Sequence, residues 1–132
     1  DVLVMENMFA DILSDLGGGL VGGMGMAPCA EIGLNHGLFQ PAHGSAPDIM
    51  GKDLANPTAM FLSAAMMLEW LGQKYQNESL MNAATLLENK IDEGFLLKRI
   101  QPKEFGGPHG CSEHTRNLLE ILKDLSSPRS LN

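Results

Sequence analysis

Asp11 and Asp15 stand four residues apart. On a helix that spacing puts two carboxylates on one face, where they suit a hard divalent cation such as Mg²⁺ or Mn²⁺. Two acids so spaced are more often a solvated face, so the pair takes a metal meaning only from its surroundings. Gly17, Gly19 and Gly22 match the dinucleotide fingerprint G-x-G-x-x-G in letters. That fingerprint works where it follows a strand and opens a helix, whereas these glycines trail a predicted helix and read as small residues for close packing or a turn. His109, Cys111 and His114 are zinc-type donors. Structural zinc takes four ligands in paired spacings, and only distant His36, His43 or Cys29 are left to complete a set, so a polar loop at a helix start accounts for them better.

The run from Pro41 to Pro57 is richer in chemistry. It carries His43, Gly44, Ser45, Asp48 and Asn56 ahead of a helix that Pro57 opens. A loop of that kind offers backbone N–H groups to phosphates and a carboxylate to a sugar diol. On residue chemistry alone it is a candidate ligand loop.

These residues need elements to hold them. Val2-Leu3-Val4-Met5 reads as a short buried strand. Phe9, Ile12, Leu13 and Leu16 recur at helical spacing, which predicts a helix from about Met8, capped by Asn7 and reaching as far as Leu20 and Val21. Gly22 to Gly37, with five glycines and Pro28, reads as loop, and Leu38-Phe39-Gln40 as a short strand leading into the loop His43 to Asn56. Asn56 is a good cap and Pro57 a good first-turn residue for a helix to about Leu71, apolar nearly all round and so expected to be buried on most of its surface. Leu80, Ala84, Leu87 and Ile91 trace a third helix ending near Gly94, and Leu118, Leu119, Ile121, Leu122 and Leu125 a last one, followed by a loose tail from Ser126 to Asn132. The pattern is α/β, helix-rich, with few short strands covered by helices.

Composition narrows the function. The 132 residues are 44% hydrophobic, enough for one core, and the chain is expected to form a single unit over 1–132. A net charge of −7 with only 19% charged residues argues against nucleic acid as a partner and against disorder. The acidity is uneven: the first 72 residues hold one Lys and eight acids, the remainder eight of each sign. A cation would favour the first part. The longest nearly pure apolar stretch, Ala59 to Leu68, is too short to span a membrane. Two cysteines and nine methionines with no signal-like start point to free thiols in a cytoplasmic protein. With no initiator Met and a strand-like start, the chain is expected to be an internal piece of something longer.

Two long motifs carry a family resemblance. His43-Gly-Ser-Ala-Pro-Asp-Ile-Met-Gly-Lys52, then Ala55-Asn-Pro-Thr58 and Leu62-Ser-Ala-Ala-Met-Met-Leu68, resemble the β-decarboxylating dehydrogenases, the isocitrate and 3-isopropylmalate dehydrogenase family. Glu6-Asn-Met-Phe-Ala-Asp-Ile-Leu-Ser-Asp15 resembles the family's acidic helix at the expected distance upstream. The likeness runs from Asp1 to about Leu122 and covers only the C-terminal part of such enzymes, so the expected fold is the helix-rich C-terminal portion of theirs.

The resemblance implies an oxidoreductase that oxidises a 2-hydroxy acid by hydride transfer to NAD and then releases CO₂ with the help of Mg²⁺ or Mn²⁺. Asp11 and Asp15 match the family's metal carboxylates. His43, Gly44, Ser45 and Ala46 match the loop around the phosphates and the nicotinamide side, while Ala55 and Asn56 match the adenine end, with Asn56 reading the adenine edge. Asp48 and Ile49 match the pair that sets the cofactor. Members with Asp there use NAD, since a carboxylate accepts from a free 2′-hydroxyl and repels a 2′-phosphate, and those with Lys-Tyr use NADP. A turn-capping role after Pro47 is the other reading of Asp48.

The family's substrate arginines, its catalytic tyrosine and lysine and its third metal aspartate precede this segment, and none is assigned here. Gly19 to Pro28 and Ala30-Glu-Ile-Gly33 look like the isocitrate branch, whereas Ser45 is commoner in the isopropylmalate and tartrate branches. Cys29, Ala10 and Phe105 to Thr115 fit none cleanly, so the 2-hydroxy acid stays open between isopropylmalate and isocitrate. The family is dimeric, which implies a homo-oligomer. A non-catalytic nucleotide-binding or assembly module that keeps this part of the fold is the alternative function.

Overall fold

The computed structural model describes residues 2–124, so the expected tail from Ser126 lies outside the described residues. They form α1 (Asn7–Leu20), β1 (Pro28–Ile32), β2 (Gly37–Pro41), α2 (Thr58–Tyr75), α3 (Glu78–Leu96) and α4 (Cys111–Lys123), with 3-10 turns at Met24–Met26, Pro47–Ile49 and Lys103–Phe105. The helix-rich α/β expectation matches this architecture. No helix among them is long and apolar enough to cross a membrane.

Two strand expectations need correction. Val2–Met5 forms no strand, and Val2 and Val4 are 88% and 91% exposed. A strand exists only through a hydrogen-bonded neighbour, and no described residue pairs with this run. Conversely, Pro28–Ile32, read as loop, is a strand. It pairs antiparallel with β2 in the register Cys29↔Gln40, Ala30↔Phe39 and Glu31↔Leu38, with the two prolines, Pro28 and Pro41, facing each other at the end of the ladder. The hairpin lies on α2, where Phe39 meets Trp70 with ring centroids 5.8 Å apart.

The core sits where α2, α3 and α4 meet. Ile91, Ile100, Leu118 and Ile121 are buried there, flanked by Phe61, Leu62, Leu87, Phe95 and Leu122. Helix α2 is central as expected, though it buries mainly small residues, Thr58, Ala59, Ser63, Ala65 and Gly72, while Met60 and Met67 stay exposed. It also runs past Leu71 to Tyr75. Gly72 serves close packing rather than termination, since a Cβ there would lie 2.6 Å from Met81 Cγ. The turn comes at Gln76, left-handed at φ 51°, and the Asn77 side chain then caps α3 by accepting from the N–H groups of Ser79 and Leu80 at 3.0 and 3.3 Å.

Helix α1 is attached differently. Glu6 rather than Asn7 occupies its N-cap position, and Gly18 is its one buried residue. Met24 Sδ would lie 3.0 Å from a Cβ on Gly18, whereas a Cβ on Gly17 or Gly19 would meet nothing within 4 Å, so the close packing expected of Gly17 and Gly19 falls to Gly18 instead, and Gly22 serves the turn. Phe9, Ile12 and Leu16, the stripe that predicted the helix, are more than half exposed. Beyond α1 the chain turns at Gly22 and Gly23, with φ of 113° and 122°, a conformation open to glycine and strained for other residues.

Candidate functional site

The loop from β2 to α2 is held at its base and open at its tip. At the base, Ala42 N–H donates to Ala27 O at 3.0 Å. Its far half is tied to α4, where Asp53 Oδ1 accepts from Ser112 N–H at 2.8 Å and Ser112 Oγ at 2.9 Å, capping a helix that otherwise starts at Gly110 without a side-chain cap. Those two bonds, with Lys103 and Arg116 nearby, hold the Asp53 carboxyl below its usual range. Gly110 permits the contact, since a Cβ there would lie 2.3 Å from Asp53 O.

At the tip, His43, Gly44, Ser45, Ala46 and Asp48 are all exposed. His43 Nδ1 lies 2.8 Å from Gly44 O, so it carries the proton and leaves Nε2 as the acceptor of the neutral ring. Ala46 is left-handed, at φ 45° and ψ 62°, and turns the chain into the Pro47–Ile49 turn. Among the described residues the main-chain N–H groups of His43, Gly44, Ser45, Ala46 and Asp48 take no internal partner. A run of free N–H groups around a left-handed residue is the kind of concavity that binds anions. The Asp48 carboxylate accepts no hydrogen bond either, and the turn has no side-chain cap, so the turn-capping alternative for Asp48 finds no support. Ile49 beside it is half-buried and Ala55 is exposed.

Asn56 differs from the others in being 7% exposed with its amide spent internally. Its Oδ1 accepts from Thr58 N–H at 3.1 Å and Thr58 Oγ1 at 2.7 Å from one residue ahead of the N-cap position, which Pro57 rather than the expected Asn56 occupies, while Nδ2 donates to Glu104 Oε2 at 2.9 Å and approaches Met26 Sδ at 3.5 Å. The side chain is therefore unavailable to a ligand. Its main-chain N–H and C=O, by contrast, take no partner among the described residues.

Behind Thr58 lies His114, fully buried between Phe61 and Phe95. The single Thr58 hydroxyl proton goes to Asn56 Oδ1, which only accepts, so His114 Nε2, 3.4 Å from Thr58 Oγ1, must be the donor of that long contact. His114 Nδ1 is then a bare lone pair with no partner. Burial, with a smaller push from His109, lowers the pKa of this ring from 6.5 to about 4. Local spacing shows none of this. The Asn-Pro-Thr sequence signals the helix start, but Glu104 lies 48 residues from Asn56 and His114 lies 56 from Thr58.

His109 is also structural. Its Nδ1 accepts from Gln101 N–H at 2.9 Å, and its backbone bridges Gln101 and Lys103. Cys29 and Cys111 are free thiols. Among the described residues no three His, Cys, Asp or Glu gather where a metal would need them, so zinc at His109, Cys111 and His114 has no site. The same holds for a complete cage at Asp11 and Asp15. These two lie exposed four apart on α1, and Ser14 Oγ donates to Asp11 O at 3.0 Å. They are hard oxygen donors of the kind Mg²⁺ or Mn²⁺ takes, and a shell built on them would need its remaining ligands from outside these residues.

The fold agrees with comparisons to known proteins. Residues 1–117 match the profile described as isocitrate/isopropylmalate dehydrogenase. The chain is 50% identical over 124 residues to a 3-isopropylmalate/3-methylmalate dehydrogenase of Methanocaldococcus jannaschii, covering 94% of this chain and 35% of that protein. It is 47% identical over 126 residues to an isocitrate/homoisocitrate dehydrogenase of Thermus thermophilus, covering 95% and 35%. The crystal structure of isocitrate dehydrogenase from Methylococcus capsulatus superimposes with a TM-score of 0.79 at 39% identity, over 89% of this chain and 33% of that one. The open loop from His43 and the helix carrying Asp11 and Asp15 thus sit in a fold shared with isocitrate dehydrogenase. The chain belongs to the isocitrate/isopropylmalate dehydrogenase family, and it spans about a third of the length of the curated relatives it matches.

Proposed function

We propose that this chain is the part of an NAD- and divalent-metal-dependent oxidoreductase that supplies the nucleotide loop and two metal carboxylates, in an enzyme that oxidatively decarboxylates a 2-hydroxy acid of the isopropylmalate or isocitrate type. The observation that carries the reading is the loop tip, where exposed main-chain N–H groups from His43 to Ala46 are free for phosphate oxygens and the Asp48 carboxylate is uncapped. His43 Nε2, Gly44, Ser45 and Ala46 would face the phosphates and the nicotinamide side, Asp48 would accept from the ribose diol with Ile49 beside it, and Ala55 and Asn56 would lie at the adenine end. Because the Asn56 amide is spent on Thr58 and Glu104, its adenine contact falls to the main chain. Asp11 and Asp15 would hold Mg²⁺ or Mn²⁺, which when bound polarises the oxygens of the hydroxy acid. Part of the same proposal is a cytoplasmic homo-oligomer, in which the exposed Phe9, Ile12 and Leu16 of α1 are covered.

Asp48 is the most direct place to test it. A 2′-phosphate beside that carboxylate sets like charges together, a repulsion of ~1–3 kcal/mol or roughly ten- to a hundredfold. Calorimetric titration with NAD and NADP should show NAD preferred by the wild type and the preference reduced or reversed in Asp48→Lys with Ile49→Tyr. A wild type that prefers NADP, or a ratio unmoved by the double change, removes Asp48 from the ribose.

A further inference from the structure

We propose that Glu104 is a positioning residue for adenine recognition, acting through the side chain of Asn56; this rests on the nucleotide reading above. Every polar valence of the Asn56 amide is used, and three of its four partners are local or weak. Thr58 gives the oxygen an N–H and an O–H from two residues along, and Met26 offers a thioether at 3.5 Å. Glu104 Oε2, at 2.9 Å, is the one charged partner and comes from the connection between α3 and α4. With the weaker Met26 contact, it ties the Asn56 side chain to parts of the molecule outside the loop.

The packing around that carboxylate is equally specific. A Cβ on Gly25 would lie 2.2 Å from Glu104 Oε2 and 2.9 Å from Asn56 Cβ, and one on Gly23 would lie 2.6 Å from Glu104 Oε1. The two oxygens occupy the space above two glycines, so Gly23 to Gly25, Asn56 and Glu104 fit only together. Glu104 is otherwise exposed, and a carboxylate adds nothing by charge to a site for an anionic dinucleotide. Its contribution is geometric. The hydrogen-bonding edge of adenine presents one acceptor, N1, and one donor, the 6-amino group. The unpartnered N–H and C=O of Asn56 are the matching pair, and fixing the side chain on both faces fixes the angle at which the main chain presents them.

The hypoxanthine analogue of NAD reverses that edge to a donor at N1 and an acceptor at position 6, and so reads Asn56 independently of loop stability. Affinities of the full chain for both dinucleotides are to be measured by calorimetry in wild type, Glu104→Ala and Glu104→Gln. The wild type is expected to prefer NAD by about tenfold or more, since mismatched polar groups are left unpaired. Glu104→Ala should shrink that preference severalfold. Glu104→Gln, whose carbonyl oxygen still accepts from Asn56 Nδ2, should keep it within about twofold. An unchanged preference in Glu104→Ala, or equal shifts for both dinucleotides in both variants, overturns the inference, the second outcome showing that Glu104 acts by charge alone. A wild type that binds NAD without discriminating against hypoxanthine overturns it while leaving the nucleotide reading intact, and one that binds neither overturns both.

Discussion

The buried imidazole of His114 should make the protein less stable in mild acid. In the folded state its pKa is about 4, against 6.5 for an ordinary histidine, because no partner or solvent meets a proton on Nδ1. The sign follows from which state binds the proton first. As pH falls through 6.5 the unfolded chain takes it up while the folded chain does not, so folding is penalised, and the penalty stops growing once pH passes below about 4. At ~1.4 kcal/mol per pH unit of difference the full loss is about 3 kcal/mol, of which about 2 kcal/mol falls between pH 7 and pH 5. Carboxylates titrate in the same range, so the measurement must be differential. Urea unfolding followed by circular dichroism at pH 7, 6, 5 and 4.5 should be run on the wild type and on His114→Phe, which fills the space between Phe61 and Phe95 with a ring that binds no proton. The variant should lose about 2 kcal/mol less than the wild type on going from pH 7 to pH 5. Parallel profiles for the two proteins would refute the reasoning, as would a wild type that gains stability relative to the variant on acidification.

Two further outcomes are open to measurement. Ile121 is fully buried where α2, α3 and α4 meet, so Ile121→Ala should lower unfolding free energy by about 2–5 kcal/mol in the same urea assay, whereas the exposed Leu119→Ala should change it by under about 0.5 kcal/mol. Manganese relaxation titration should show weak binding by the wild type that is lost in Asp11→Asn and in Asp15→Asn, and equal binding by all three would reduce the pair to a solvated helix face.

What was legible in the sequence follows from what is local. The four helices announce themselves through apolar spacing and, for α2, through the proline just ahead of its first residue. The start of α2 could be read from Asn-Pro-Thr alone, and Asn56 does bond Thr58 N–H, though Pro57 rather than Asn56 stands at the N-cap. Strands fared worse because a strand is defined by its neighbour: Val2–Met5 has the composition of one and no partner among the described residues, whereas Pro28–Ile32 lacks the composition and pairs with β2. Helix ends shifted where a single residue could adopt a left-handed turn. Gln76 does so after α2 and Lys98 after α3, at φ 51° and 56°, and neither is a glycine that would have marked the place. The exposed loop from His43 was placed by motif, but the fate of the Asn56 amide depended on Glu104, and nothing in the spacing of 48 residues signals that meeting.

The thin attachment of α1 has a consequence for how variants of this protein should be screened. Helix α1 carries Asp11 and Asp15, yet it buries only Gly18 and is joined to the rest through the glycine pair at 22 and 23. The main core, by contrast, is drawn from α2, α3 and α4 and the loop residue Ile100. A melting-temperature survey would therefore register damage to the core while passing over substitutions at exposed polar positions of α1 such as Asp11 and Asp15. Variants at Asp11 and Asp15 that look silent by heat are the ones to carry into a metal assay, because the proposed carboxylates sit where heat reports little.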